Sequence, residues 1–251
     1  MYQDKENVSI LKDINFSVRG GMILGVAGIQ GNGQVELIEL MTKGRKVQSG
    51  NIEINGQNIQ NLNIKQLRST GFGYIPEDRT RQGIAKDGTI TENIISNKYY
   101  KKEYCRRGLL LQKKCNHFAD NQVKNYEIKC SGVLHKTGML SGGNMQKVVV
   151  ARECNGQPKV LIAEQPTRGV DLGAAHIIHK QLFQMRDKGC AILLVSADLN
   201  EIMKLSDEII VIYEGEIVAY YPDISTVSEE QLGLCMLGIE RHDGSIVKGV
   251  I

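Results

Sequence analysis

The tightest constraint on this chain is residues 22–41. There the apolar run from Met22 to Ala27 gives way to Gly28, Gly31 and Gly33, and then to Leu37, Ile38, Leu40 and Met41 at helical spacing. The pattern reads as a short buried strand, a tight glycine loop and a helix over 36–41 with its apolar face inward. Such a loop exposes successive backbone N–H groups at a helix N-terminus, where the helix dipole favours a phosphate. Phosphate-loop spacing, aligned on Gly28 and Gly33, brings Gln34 to the lysine position and Val35 to the magnesium-binding hydroxyl position. The backbone pattern is kept and the charge is missing. Two unit charges about 4 Å apart near a surface interact at about 4 kcal/mol, an upper bound on what a lysine would add. A plain glycine-rich turn, or the start of a dinucleotide fold, competes for the same residues. Glu36 stands where the dinucleotide pattern needs a small residue, although Glu53 lies at the distance of a ribose-binding acid.

Elsewhere the composition mainly excludes. A chain of 251 residues with 41% hydrophobic and 24% charged residues is globular, with room for one large domain or two small ones. A net charge of +3 is too small to argue for nucleic acid. The six cysteines form no C-x-x-C pair and read as reduced, cytosolic thiols. His176 and His179 are three apart on an expected helix but have no third ligand in view, so no metal site is expected. No apolar run approaches the roughly 20 residues of a membrane span, and residues 1–6 do not resemble a signal peptide. Any membrane association is expected to go through a partner.

Taken in order, residues 10–18 suggest one or two strands, and 51–56 alternate cleanly into the turn pair Asn55-Gly56. Residues 64–70 read as a short helix and 71–79 as a strand stopped by Pro76, followed by the charged loop Glu77, Asp78 and Arg79. Helices are expected over 91–97 and 114–126. Between them the stretch 98–114 carries seven Lys or Arg residues against Glu103 alone, interleaved with Tyr99, Tyr100 and Tyr104. It reads either as a basic-aromatic patch for nucleic acid or anionic lipid, or as a solvated face, the commoner fate of a charge run. From Val160, short apolar runs (160–163 and 191–195) alternate with helices (173–186 and 199–205), which argues for a parallel sheet covered on both faces. A hairpin around Glu214-Gly215 and a closing helix over 228–237 complete the chain.

The decisive stretch is Leu140-Ser141-Gly142-Gly143-Asn144-Met145-Gln146 at the head of a helix, where a hydroxyl, bare N–H groups and a helix dipole suit a terminal phosphate. It is followed by Glu164-Gln165-Pro166-Thr167-Arg168-Gly169-Val170-Asp171 after a buried strand, and by Ser196-Ala197-Asp198 after the next. This ordered set resembles the nucleotide-binding domain of ABC transporters over residues 10–237. It looks most like the second, C-terminal ATPase domain of simple-sugar and nucleoside importers. The resemblance implies an α/β P-loop NTPase (ABC ATPase) fold with an antiparallel β-subdomain and an α-helical signature subdomain. Residues 1–79 and 154–251 would form the core with its antiparallel strands, and 80–153 the helical part.

Residue by residue, the resemblance implies ATP contacts at Gly28, Gln30, Gly31, Asn32, Gly33, Gln34, Val35 and Glu36, with Tyr2 as an adenine-stacking candidate. Glu164 takes the place of the Walker B aspartate and Gln165 that of the catalytic glutamate. Ala197 takes the place of the switch histidine, and Glu77 lies at the Q-loop position. Ser141, Gly142, Gly143 and Gln146 match the signature and Asp171 the D-loop acid. An amide cannot take a proton from water at neutral pH, and loss of a general base costs roughly 10²- to 10⁴-fold in rate. The expectation is weak ATP binding and little hydrolysis at the chain's own site, with an intact signature lent to a partner ATPase domain whose site holds the magnesium. That partner would be the N-terminal half of the same polypeptide. The resemblance further implies permease subunits, a substrate-binding protein, no nucleic acid, and a peripheral position on the cytoplasmic face of the membrane. The competing reading is a soluble ABC-type ATPase acting on nucleic acid or the ribosome.

Overall fold

The structure, a computed structural model, describes residues 2, 3 and 9–243. In chain order its elements are β1 (Tyr2–Gln3), β2 (Ser9–Leu11), β3 (Ile23–Ala27), α1 (Gln34–Met41), β4 (Glu53–Ile54), β5 (Gln57–Asn58), α2 (Ile64–Ser69), β6 (Phe72–Ile75), α3 (Ile90–Ile95), β7 (Cys105–Arg106) and β8 (Leu109–Leu110). Then come α4 (Gln112–Asn125), α5 (Gly142–Cys154), β9 (Val160–Glu164), α6 (Leu172–Asp187), β10 (Ala191–Val195), α7 (Leu199–Leu205), β11 (Glu208–Tyr213), β12 (Glu216–Tyr221) and α8 (Glu229–Met236). The chain divides into two compact units, residues 1–74, 159–165 and 186–251 in one, and 75–158 and 166–185 in the other. Asp171 thus lies in the same unit as the signature helix.

The first unit is organised on a six-stranded sheet in the order β12-β11-β3-β10-β9-β6. β3 runs parallel to β10 and β11, β10 parallel to β9, and β12 antiparallel to β11. Every residue of β3 and β10 is buried, as continuous apolar runs in central parallel strands should be. Leu24, Val26, Ile162, Leu193, Val195 and Ile210 pack with Leu37 and Ile38 of α1 in the main core. The hairpin expected at Asn55-Gly56 forms between β4 and β5, with both turn residues at positive φ. The strands expected over 10–18 form only as β2. Ile14, Phe16 and Val18 are half-buried on that core without strand pairing, so their alternation reports one covered side rather than a ladder.

In the second unit α5 is buried through Val148, Val149, Val150 and Ala151. Thr89 and Glu92 make a capping box at the start of α3, and the buried Asn93 ties that helix to Ala85 and Thr137. The helices expected over 91–97 and 114–126 appear as α3 and α4. The hairpin β7–β8, which the sequence reading did not anticipate, turns on Arg107 and Gly108, both at positive φ. All six cysteines are free thiols. No helix among the described residues is long and apolar enough to cross a membrane.

The turn between β11 and β12 is wedged between β2 and the glycine loop. Gly215 has φ +77°, its carbonyl accepts from the Lys12 N–H at 2.8 Å, and a Cβ there would lie 1.6 Å from the Ile10 carbonyl oxygen. Gly215→Ala should therefore lower stability by at least about 2 kcal/mol. Urea denaturation checks this as a fall in midpoint at unchanged slope.

Candidate functional site

The glycine loop lies at the carboxyl end of β3 and opens directly into α1. Gly31 and Gly33 hold φ of +97° and +113°, and no side chain caps the helix. The β11–β12 turn fixes the loop: the Gly215 N–H donates to the Asn32 carbonyl at 2.9 Å, and the Glu214 N–H donates to Asn32 Oδ1 at 3.2 Å. Gln30 and Gly31 are exposed. Tyr2 lies in β1, but its side chain is outside the described residues.

Gln34, the first residue of α1, is only 8% exposed because its side chain folds back over the loop. Its Nε2 donates to the Ile29 carbonyl at 3.2 Å and presses on Gly28, where a Cβ would lie 2.2 Å away. The amide thus takes up space inside the loop without carrying charge. Val35 is exposed and offers no oxygen. Glu36 and Glu164 both act on Glu39, whose carboxyl is raised first by burial and then by these two neighbours. Gln34 carries no charge and Val35 no hydroxyl, so neither side chain can make the contact a phosphate-loop lysine makes with a phosphate or a phosphate-loop hydroxyl makes with magnesium.

At the ends of β9 and β10 the same self-bonding recurs. Glu164 is buried, and its Oε2 accepts from the Tyr74 hydroxyl at 2.5 Å. Burial raises the Glu164 carboxyl above its ordinary value, and the Tyr74 bond offsets part of that rise. Gln165 follows with φ +45°, its N–H donates to the Val195 carbonyl at 2.7 Å, and its Oε1 accepts from the Ala197 N–H at 3.2 Å. The positions expected to hold the catalytic base and the switch residue are thereby bonded to each other.

In the second unit, Ser141 caps α5. Its Oγ accepts from the Asn144 side-chain amide at 2.9 Å, and Asn144 Oδ1 in turn accepts from the Lys129 N–H at 2.9 Å. Ser141 is exposed, and as a hydroxyl it keeps a proton to donate. The N–H groups of Gly142 and Gly143 sit in the first turn, where a helix provides no acceptor. Both glycines lie close against the ends of charged side chains, which would have to shift to admit a Cβ. A Cβ on Gly142 would lie 2.6 Å from Arg79 Nη2, and one on Gly143 would lie 2.9 Å from Asp171 Oδ2. Asp171 Oδ1 accepts from the Ala174 N–H at 2.9 Å, and that bond leads the causes holding its carboxyl below the ordinary value. The buried Gln146 donates through Nε2 to the Pro166 carbonyl at 2.8 Å. Arg79 donates to the Arg168 and Gly169 carbonyls at 2.8 and 3.1 Å, and Glu77 is ion-paired with Arg168. The charged loop that could have been a solvated turn instead clasps the segment leading to Asp171.

Sequence reasoning singled out the loop, the signature stretch with its Asn144, and the strand-end residues, and missed Tyr74, Glu39 and the clasp made by Arg79. Only Arg79 had a visible signal, as part of a charged loop after a proline. Among the described residues no group of three or more His, Cys, Asp or Glu is placed to hold a metal.

The Glu164 burial has a consequence for stability. With its folded pKa above the ordinary 4.5, Glu164 binds more protons folded than unfolded. Its contribution is fully present below 4.5 and lost as the pH rises through the folded value. In urea unfolding from about pH 4 to about pH 8, Glu164→Gln should gain on the parent as the pH rises. Tyr74→Phe, which removes the bond favouring the ionised form, should steepen the parent's loss. A pH-independent difference would contradict this assignment.

The comparisons with known proteins agree with this geometry. The family described as "ABC transporter" matches residues 11–168. The guanosine import ATP-binding protein NupO of Bacillus subtilis (strain 168) is 42% identical over 247 residues, covering 98% of this chain and 48% of that protein. The nucleoside import ATP-binding protein NupA of Lactococcus lactis is 40% identical, covering 91% of this chain and 45% of its own length. The ribose import ATP-binding protein RbsA of Lactococcus lactis is 36% identical, covering 94% and 47%. The chain therefore spans about half the length of the curated relatives it matches. In shape it is similar to the ATP-binding cassette MJ0796 in a dimeric post-hydrolysis state bound to ADP and Pi. The TM-score is 0.73 at 21% identity, over 88% of this chain and 93% of that one. The chain belongs to the ABC transporter family and has the fold of its ATP-binding cassettes.

Proposed function

We propose that this chain is the second ATP-binding half of an importer for nucleosides or simple sugars, and that it lends its signature to a partner half while its own site stays nearly silent. The carrying observation is an asymmetry within one chain. Gln34, Glu164 and Gln165 are each bonded to neighbouring protein groups, whereas Ser141, Gly142 and Gly143 are kept as a capped, glycine-lined helix head. Relatives named for guanosine, nucleoside and ribose import support the substrate class, and a span of about half their length is what one of two ATP-binding halves would give. In this reading ATP and magnesium are bound chiefly at the site built on the partner's phosphate loop. The assembly then includes membrane permease subunits and a substrate-binding protein, and the chain sits peripherally on the cytoplasmic face.

This chain's residues divide the work. The Ser141 hydroxyl and the Gly142 and Gly143 N–H groups are suited to donate to a terminal phosphate presented by the partner. Gln146 ties the helix behind that head to the Pro166 carbonyl, and Asp171, bonded to the Ala174 N–H, lies against Gly143. At the chain's own site, Gln165 cannot take a proton from water, and its amide oxygen is already engaged by the Ala197 N–H.

The purified chain alone should release phosphate from ATP at least about 100-fold more slowly than an equimolar mixture with its partner half, the scale set by a missing general base. In the mixture, Ser141→Arg should abolish turnover, while Gln165→Ala should leave it within about twofold. Brisk magnesium-dependent turnover by the lone chain, or full activity of the Ser141→Arg mixture, would overturn the reading.

A further inference from the structure

The proposed function makes no use of residues 98–114, and the structure redefines what they present. Lys98 is buried and lies over the Phe118 ring at 5.1 Å, and Tyr104 is buried against the same ring. Six cations remain exposed: Lys101, Lys102, Arg106, Arg107, Lys113 and Lys114. None of them forms an ion pair with another described residue. The sole acid of the stretch, Glu103, lies beside the Tyr104 hydroxyl, which burial and then Glu103 push up to about 12.

Large apolar groups are exposed among these charges. The β7–β8 hairpin turns on Arg107 and Gly108, and its register pairs Arg106 with Leu109 and Cys105 with Leu110. Directly paired residues share a face, so Leu109 and Leu110 point to opposite sides of the ribbon just behind a cationic tip. Leu109 is 74% exposed and Leu110 44%. Preceding the hairpin, Tyr99 and Tyr100 are also exposed, with ring centroids 5.7 Å apart edge to face.

We propose that this hairpin and the turn before it dock on an anionic lipid bilayer, with the cations on the headgroups and Leu109, the more exposed of the two leucines, at the acyl boundary. Each Lys or Arg near such a surface adds to the attraction, and Tyr is favoured at headgroup depth. The charge complementarity is one-sided, with six exposed cations against one acid. The leucines favour a bilayer over nucleic acid, because phosphate contacts gain nothing from aliphatic side chains whereas the bilayer boundary removes them from water. Of the interleaved aromatics only Tyr99 and Tyr100 face outward, and they are engaged with each other rather than spread as a stacking platform. This inference is independent of which nucleotide site is active.

Sedimentation of the 251-residue chain with vesicles tests it. Vesicles of phosphatidylcholine containing about 30% phosphatidylglycerol should bind at least about 100-fold more tightly than phosphatidylcholine alone, and the binding should weaken as salt is raised. The joint change of Lys101, Lys102, Arg106 and Arg107 to Glu should remove the difference. Leu109→Ser with Leu110→Ser, both at exposed positions, should weaken vesicle binding at least about tenfold and leave the melting temperature unchanged. Salt titration of the unaltered chain needs no variant, so a misfolded mutant cannot hide the answer. Equal binding to both vesicle types, leucine variants that bind as the parent does, or tighter binding to a single-stranded oligonucleotide than to anionic vesicles would each overturn the proposal.

Discussion

Everything in the first unit depends on the complete burial of β3 between β10 and β11. A strand with no solvent face must be apolar along its length, and parallel neighbours on both sides fix where its carboxyl end emerges. That end delivers Gly28, and the ends of β9 and β10 deliver Glu164, Gln165 and Ala197 nearby in the same unit. Open parallel sheets place their chemistry at the carboxyl ends of their strands. In this chain the rule holds for position, while the side chains placed there are unusual.

Those side chains share one behaviour. A lysine at residue 34 would have charge to offer a ligand; Gln34 bonds to the loop carbonyl of Ile29. A carboxylate exposed to a metal would be solvated or coordinated; Glu164 is buried under the Tyr74 hydroxyl. Gln165 and Ala197 satisfy each other. Buried polar groups require partners, and here neighbouring protein groups supply them. The signature end shows the opposite economy. Arg79, Gln146 and Asp171 bond to backbone groups around the signature, and Gly142 and Gly143 let Arg79 and Asp171 approach the helix head closely.

Legibility followed the range of the interactions. The runs at 191–195 and 199–205 appear as β10 and α7 with the same bounds, because a fully buried strand and a one-face-buried helix each leave a local apolar signature. Turn chemistry marked Asn55-Gly56 and Glu214-Gly215, where two consecutive residues must take positive φ. The same chemistry at Arg107-Gly108 went unread because the flanking strands are only two residues each, too short to show an alternation. The alternation of Ile14, Phe16 and Val18 was visible, but a strand also needs a partner, and none is formed there.

The sequence by itself determined the family, the parallel core, and the neutral side chains of Gln34, Val35 and Gln165 at their spacings. Each of those is a matter of residue type at a fixed spacing. Only the tertiary structure decided what those residues do instead. Tyr74 meets Glu164 across 90 positions and Arg79 reaches Gly169 across another 90, and no local pattern encodes either contact. The same holds for the basic stretch, where folding withdrew Lys98 and Tyr104 into the interior and left Leu109 outside. Spacing along a chain records which groups are available, whereas the cost of burying a polar group without a partner settles where each of them goes.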